Sequence, residues 1–336
     1  MNKKGFTLIE LLAVIVILAI IALIATPTIL GVIEKAKKGA AEASALGYID
    51  AIEKQIMINE MDTRATKLKN RAYSVEELNS LGITIKGTKP SNGVVVISKG
   101  NVIRYDLTFD NYIVTNGKAI KSSERKKYEN GTAIYYNPTV GEKCTESESV
   151  SLTGTKSGCM KWYTFNDEEG NSSVNLILDH NTTARVAWNS SGNNSEMKEV
   201  ATQLESDTKA WKNAARLITA NEVAKISGNT SFDSSKTNQV WFCLDTNKSD
   251  KENICAKSKG TSKYKWLFDN TTNCTSYGCD NDSNIETYGY WTSSANVSES
   301  SHAWFVHRNG YLNFSAINNT YYGIRPVISV SKSIIK

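Results

Sequence analysis

The chain has 336 residues, 22% charged and 40% hydrophobic, with a net charge of +5. That length accommodates an anchor helix plus one or two globular domains. The charge excess is too small to point to nucleic acid. No phosphate loop, Ser-His-Asp order or paired-carboxylate pattern stands out to argue for an enzyme.

The first predicted element is an apolar helix. From Leu11 to Ile33 there is no charge, and Lys3 and Lys4 precede the run. At about 1.5 Å per residue it makes a helix of roughly 34 Å, enough to cross a bilayer core of about 30 Å. No cut after Ala19, Ala22 or Ala25 leaves a small residue two positions earlier, as an ordinary secretory signal requires. Glu10 is the anomaly, because a carboxylate costs about 2.5–3.5 kcal/mol near the centre of a span and less near its end. It makes sense with a positive partner, and a cut between Gly5 and Phe6 creates one in the new α-amino group.

Lys-Lys-Gly-Phe-Thr-Leu-Ile-Glu at residues 3–10 resembles the class III signal of type IV pilins and pseudopilins. That signal is a short basic leader, Gly, a cut, Phe, Glu four residues on, and a long apolar stretch. The resemblance covers about residues 1–60. It implies cleavage after Gly5 by a membrane-bound prepilin peptidase and N-methylation of Phe6. It also implies that Glu10 neutralises the Phe6 amine of a neighbouring subunit during assembly. Residues 1–5 are then a leader. Pro27 stands where pilins carry a proline and is expected to loosen the helix.

Past Gly31 the pattern becomes amphipathic. Ala45, Ile49, Ile52 and Ile56 form one stripe, and Glu34–Lys38 and Asp50–Lys54 are helix-supporting pairs. The spacing predicts one long helix over residues 6–61, with 6–33 spanning the membrane. Residues 62–73 read as a polar connector. Ser74-Val-Glu-Glu77 reads as a capping box opening a short helix. Strand signals follow at 93–98, 102–109 and 112–116, separated by Lys99-Gly100-Asn101 and Asp110-Asn111. Residues 62–123 are expected to be a small pilin-like α+β head built on this antiparallel meander.

A charged linker is placed at 124–132, and a second domain at 133–336. Helices are predicted at Met197–Trp211 and Ala214–Ile226. Strands are predicted at 174–180, 290–295, 302–314 (with a hairpin turn at Asn309-Gly310) and 322–331. The seven tryptophans, all in this part, read mostly as core. "ARLITANEVAKI" (215–226), "YWTSS", "AWFV" and "YGIRPVISV" occur in that order. They resemble the C-type-lectin-like fold in its formylglycine-generating-enzyme branch. The resemblance covers roughly 130–332, and its motifs describe folding rather than chemistry. The expected fold class is therefore α+β: a long membrane and filament helix, a β-meander head, and a disulfide-containing C-type-lectin-like domain.

All six cysteines lie beyond the apolar segment. An even number in an exported chain reads as disulfides. Neighbour pairing is expected, Cys144–Cys159, Cys243–Cys255 and Cys274–Cys279, because each loop is turn-rich and closes locally. No pair has the tight C-x₂-C spacing of a zinc site, and only His180, His302 and His307 are available beside them. Asp280, Asp282, Asn284 and Glu286 resemble the front of a calcium loop, but Ile285 and Trp291 stand where Gly and Glu are needed. No metal or cofactor is expected. Phe165-Asn166-Asp167 is a near miss to the calcium-lectin Trp-Asn-Asp. Nothing after Cys279 is a cysteine, so the oxidase chemistry of the resembled branch lacks its reactive pair. Trp291, His302, Trp304, His307 and Arg308 form a candidate polar-aromatic ligand patch.

The reading is a minor pilin-like subunit and not an enzyme. It sits in the membrane as a single-pass protein before assembly and in a surface filament afterwards, displaying a binding or adhesion domain. Its expected partners are prepilin peptidase, other pilin subunits, the assembly machinery and an unidentified surface ligand. The alternative is a pseudopilin of a type II secretion or competence-type system.

Overall fold

The computed structural model describes residues 8–62, 68–81, 87–124, 126–149, 158–228, 232–233, 240–241, 262–268 and 287–335. The fold is α+β. Helix α1 (Leu8–Met61) is a single 54-residue element that continues across position 27. The buried face of its second half comprises Ala41, Ala45, Tyr48, Ile49, Ile52 and Ile56, the apolar stripe of the sequence widened by Ala41 and Tyr48.

This face rests on a five-stranded antiparallel meander. Its strands are β1 (Ala72–Ser74), β2 (Asn92–Ser98), β3 (Asn101–Phe109), β4 (Tyr112–Thr115) and β5 (Lys118–Lys121), in spatial order β1-β2-β3-β4-β5. Val95, Ile97, Leu107, Phe109 and Val114 meet the helix in one core. Each buried aliphatic side chain there contributes about 1.5–3 kcal/mol. Two helix carboxylates also hold the sheet: Glu42 accepts the Ala119 N–H at 2.9 Å and Glu53 accepts that of Val102 at 3.3 Å. The two-residue turn between β4 and β5 is Asn116-Gly117, with φ of +46° and +85°. That twist matches a hairpin and favours this dipeptide.

Helix α2 (Val75–Ser80) starts as the sequence predicts, with Ser74 accepting the Glu77 N–H at 3.1 Å. The reciprocal half of the box is replaced by an ion pair, because the Glu77 carboxylate takes Arg71 at 2.6 Å.

The rest of the chain builds two more sheets. The second runs β10-β16-β9-β8-β6-β7, from β6 (Ala133–Asn137), β7 (Glu142–Lys143), β8 (Met160–Phe165), β9 (Ser173–Leu178), β10 (Ala215–Arg216) and β16 (Val327–Ser331). The third runs β11-β14-β13-β12-β15, from β11 (Val240–Trp241), β12 (Gly289–Ala295), β13 (His302–His307), β14 (Tyr311–Ala316) and β15 (Tyr322–Gly323). A short helix α3 spans Glu146–Ser149, α4 spans Glu199–Thr208, α5 spans Ala220–Ile226 and α6 spans Lys265–Phe268.

Two expectations about elements are corrected. The predicted helix at Ala214–Ile226 begins only at Ala220, because Thr219 and Glu222 form a full capping box there and Ala215–Arg216 pairs with β16. The predicted strand at 322–331 divides into β15 and β16. Pro326 cannot donate to a ladder, and the chain passes from the third sheet to the second across Arg325 and Pro326.

Strand β13 explains its own apolar run. Trp304 and Val306 enter the core shared with α5 and β8, while Ala303 and Phe305 enter the one beneath α4. Both faces are covered, so the strand does not alternate apolar with polar.

Candidate functional site

The first half of α1 is the chain's largest exposed apolar surface among the described residues. Leu8, Ile9, Leu11, Leu12, Ile15, Leu18 and Ile33 are all exposed. Glu10 is the acidic residue of its first turn, where the helix dipole favours negative charge. A helix that is apolar all round needs cover from other helices or lipid. Among the described residues no helix is long and apolar enough to cross a membrane. Gly5 and Phe6 lie outside the described residues.

Cys144 and Cys159 are joined as a disulfide, with Cα atoms 6.1 Å apart. Cys243, Cys255, Cys274, Cys279 and the acidic loop 280–286 lie outside the described residues. Among the described residues no group of three His, Cys, Asp or Glu side chains is gathered for a metal.

The structure separates the expected ligand patch. Trp291 and Trp304 are fully buried. The indole N–H of Trp291 donates to the Val186 carbonyl at 2.8 Å. Both are core residues with no face for a ligand. His302 has Nδ1 at 3.0 Å from Glu299 and packs edge-on against Phe314, which Trp304 also contacts. His307 and Arg308 do share a surface: His307 stacks on Tyr311 with centroids 4.3 Å apart, and Arg308 lies 4.7 Å over Tyr288. Tyr321, beside Tyr288, carries Arg185 at 4.9 Å.

A feature that sequence reasoning missed lies between the first and second sheets. An open cleft of about 680 Å³ has residues of the connector and α2 on one wall and of α4, β10 and α5 on the other. Arg71–Glu77 faces Arg216–Glu222, whose guanidinium forks both carboxylate oxygens at 2.8 and 2.6 Å. Burial raises the Glu77 carboxyl above its usual range, opposed by Arg71, the Ser74 cap and Arg216. Lys69 pairs with Glu205 across the cleft mouth. The connector belongs to the fold: Ala72 bridges Asn213 and its carbonyl accepts the Ala214 N–H at 2.9 Å. The readable signal was the apolar trio Ala72, Tyr73 and Val75 inside a polar stretch.

Arg325 and Gly323 give physical content to the "YGIRPV" motif. Arg325 is completely buried and donates to the carbonyls of Leu178, Asp179, Trp266 and Leu267 at 2.5–3.0 Å. A Cβ on Gly323 would lie 2.2 Å from the Thr183 carbonyl. Arg325 ties β9 and α6 to the segment between β15 and β16, and Gly323 lets β15 pass close to the backbone of Thr183 and Ala184.

Comparison with known proteins gives three findings. Residues 1–26 match the prokaryotic N-terminal methylation motif. Residues 171–332 match a domain of unknown function (DUF6273). A ComG operon protein 3 homolog from Bacillus licheniformis is 38% identical over 101 residues, covering 30% of this chain and 95% of that relative. No solved structure matches.

Proposed function

Because the chain belongs to the type IV pilin and pseudopilin family, we propose that it is a filament subunit that assembles through α1 and displays its later sheets outside the cell. The carrying observation is the pairing of the methylation motif at residues 1–26 with an exposed, apolar first half of α1 that carries Glu10 in its first turn. In this reading a prepilin peptidase cuts at Gly5–Phe6 and methylates Phe6. Residues 6–33 sit in the membrane before assembly. Glu10 then meets the Phe6 amine of the next subunit while the apolar faces pack together.

The relative accounts for only 30% of this chain, and the remainder is what a plain pilin-like subunit lacks. We assign the later part of the chain, residues 133–336, to a displayed binding domain of C-type-lectin-like build and the chain to a minor subunit with an adhesive role. The order of its motifs supports this, as does the burial of Arg325 and the close packing of Gly323. The surface carrying His307, Arg308, Tyr311 and Tyr321 is the face offered to a ligand.

A second reading is favoured by one observation. The relative is a ComG operon protein 3 homolog, which supports a competence-type pseudopilin. The test shears surface filaments, locates the chain by immunogold and sequences its N-terminus. Filaments bearing N-methyl-Phe6 subunits support the proposal, and a chain starting at Met1 in the membrane alone overturns it. Loss of DNA uptake with adhesion unchanged, on deleting the gene, selects the second reading.

A further inference from the structure

Asp167 and Lys332 stand out among the ion pairs of the described residues. Nζ of Lys332 lies 2.7 Å from Oδ2 of Asp167, with side chains only 2% and 0% exposed. Asp167 sits in the turn after β8, next to Asn166 with its φ of +48°. Lys332 follows β16, held there by its N–H on the Ser172 carbonyl at 2.9 Å. The two carboxylate oxygens are not equivalent. Oδ2 accepts the Tyr128 N–H at 2.8 Å. Oδ1 is buried and takes no hydrogen bond from any described residue.

A buried ion pair gains from further hydrogen bonds to its remaining lone pairs. Oδ2 has the Tyr128 N–H, whereas Oδ1 has no well-aligned donor among the described residues, a shortfall of about 1–3 kcal/mol. The same burial favours the neutral forms of acid and amine. Desolvation raises the Asp167 carboxyl above its usual range, opposed by Lys332 and the main-chain N–H groups of Tyr128 and Glu168.

We propose that Asp167 and Lys332 condense into an intramolecular isopeptide bond. A proton moves from the Lys332 ammonium to the Asp167 carboxylate, leaving a neutral amine and a neutral acid. Nζ attacks Cγ of Asp167, and charge building on Oδ2 meets the Tyr128 N–H already in place. The Nζ–Cγ bond forms and the Cγ–Oδ1 bond breaks. Oδ1 leaves as water, carrying the carboxyl proton and one from the amine. No oxidant or other reactant is needed. Fixed proximity supplies the effective concentration, and the loss of water removes the Asp167 oxygen that has no well-aligned donor among the described residues. The bond joins the end of β16 to the turn after β8, so the C-terminal strand cannot be pulled from the second sheet.

The experiment is peptide mapping of the full chain extracted in detergent, reduced and digested with trypsin. The expected result is a branched species that carries Asp167 and Lys332 together and is one water lighter than the sum of its two segments. Lys332→Arg and Asp167→Ala should each return two linear peptides. Recovery of linear peptides from the wild-type chain, with Asp167 and Lys332 unmodified, overturns the proposal whether or not the variants fold.

Discussion

The carboxylate of Asp106, on β3, accepts a hydrogen bond from the hydroxyl of Ser331, the last residue of β16, with both side chains buried. This contact ties the first sheet to the second. Ser172 adds to it, donating its N–H to Thr108 at 3.0 Å and its hydroxyl to the Asp106 carbonyl at 3.1 Å. Asp106 also accepts from Thr115 at 2.8 Å. Asp106→Ala should cost more than Ser331→Ala, because it leaves two hydroxyls without their acceptor. A hydrogen bond to a charged group is worth about 1.5–3 kcal/mol. Urea unfolding of the two single variants and the double variant gives the coupling, expected at about 1 kcal/mol or more. Simple additivity would show that the two residues do not interact.

Arg325 should be the least replaceable residue of the later sheets. It serves four carbonyls with one planar fork. Arg325→Met leaves those acceptors bare at about 1–3 kcal/mol each, comparable with the whole stability of a domain at about 5–15 kcal/mol. Arg325→Lys keeps the charge but cannot reach all four. Limited proteolysis should find the methionine variant unfolded after residue 133 and the lysine variant intermediate. Wild-type resistance in both would remove Arg325 from its assigned role.

Much of the first sheet was legible because its signals are local. Strand propensity, two-residue turns and a helical stripe sit within a few residues of what they determine. The exceptions are short: β1 was hidden in a polar connector, and β5 was missed although Asn116-Gly117 announces the turn before it. The later sheets were harder because their strands pair far apart in sequence, as β9 does with β16. A continuous apolar run such as "AWFV" also carries no facing information when both faces are buried. The ligand patch divided for a related reason. Trp291 and Trp304 look alike as surface anchors or core fillers, and only the third sheet's two-sided burial decides. The cleft between Glu77 and Arg216 depends on how two sheets meet, which no local pattern encodes.

His180 predicts a pH dependence. It is buried after β9, and desolvation holds its imidazole down at about 4, with Asp179 opposing and Arg325 adding to the effect. The folded chain therefore stays neutral there while the unfolded chain takes a proton below 6.5. Between those values the unfolded state binds more protons, so stability rises with pH. It is fully present above about pH 6.5 and lost as pH falls towards 4. The gap, at about 1.4 kcal/mol per pH unit, amounts to about 3 kcal/mol. His180→Gln removes the titration, so its urea midpoint should change less than wild type's between pH 7 and pH 4.5. Parallel pH profiles would assign the dependence to other groups.

Glu10 carries the last prediction. It lies in the first turn of a helix whose neighbouring side chains are exposed and apolar. In the proposed filament those side chains would be covered and the carboxylate desolvated with them. On the proposed function, the cation that meets it in the filament is the amine that cleavage would create at Phe6. Removing one member of a buried pair costs about 3–5 kcal/mol. Glu10→Ala deletes the acceptor, and Glu10→Gln keeps its shape without its charge. Neither change touches Gly5 or Phe6, so cleavage and membrane insertion should continue. Both should lower the ratio of filament-bound to membrane-bound mature chain by tenfold or more, since each 1.4 kcal/mol is a factor of about ten. Glu10→Asp should fall between, with its charge on a shorter arm. The ratio is read by quantitative immunoblot of sheared and membrane fractions. Equal ratios for Glu10→Ala and wild type would show that the carboxylate makes no assembly contact. Because a subunit at a filament tip has fewer neighbours, the comparison belongs with immunogold counts of tip and shaft positions, and the loss should be steepest on the shaft.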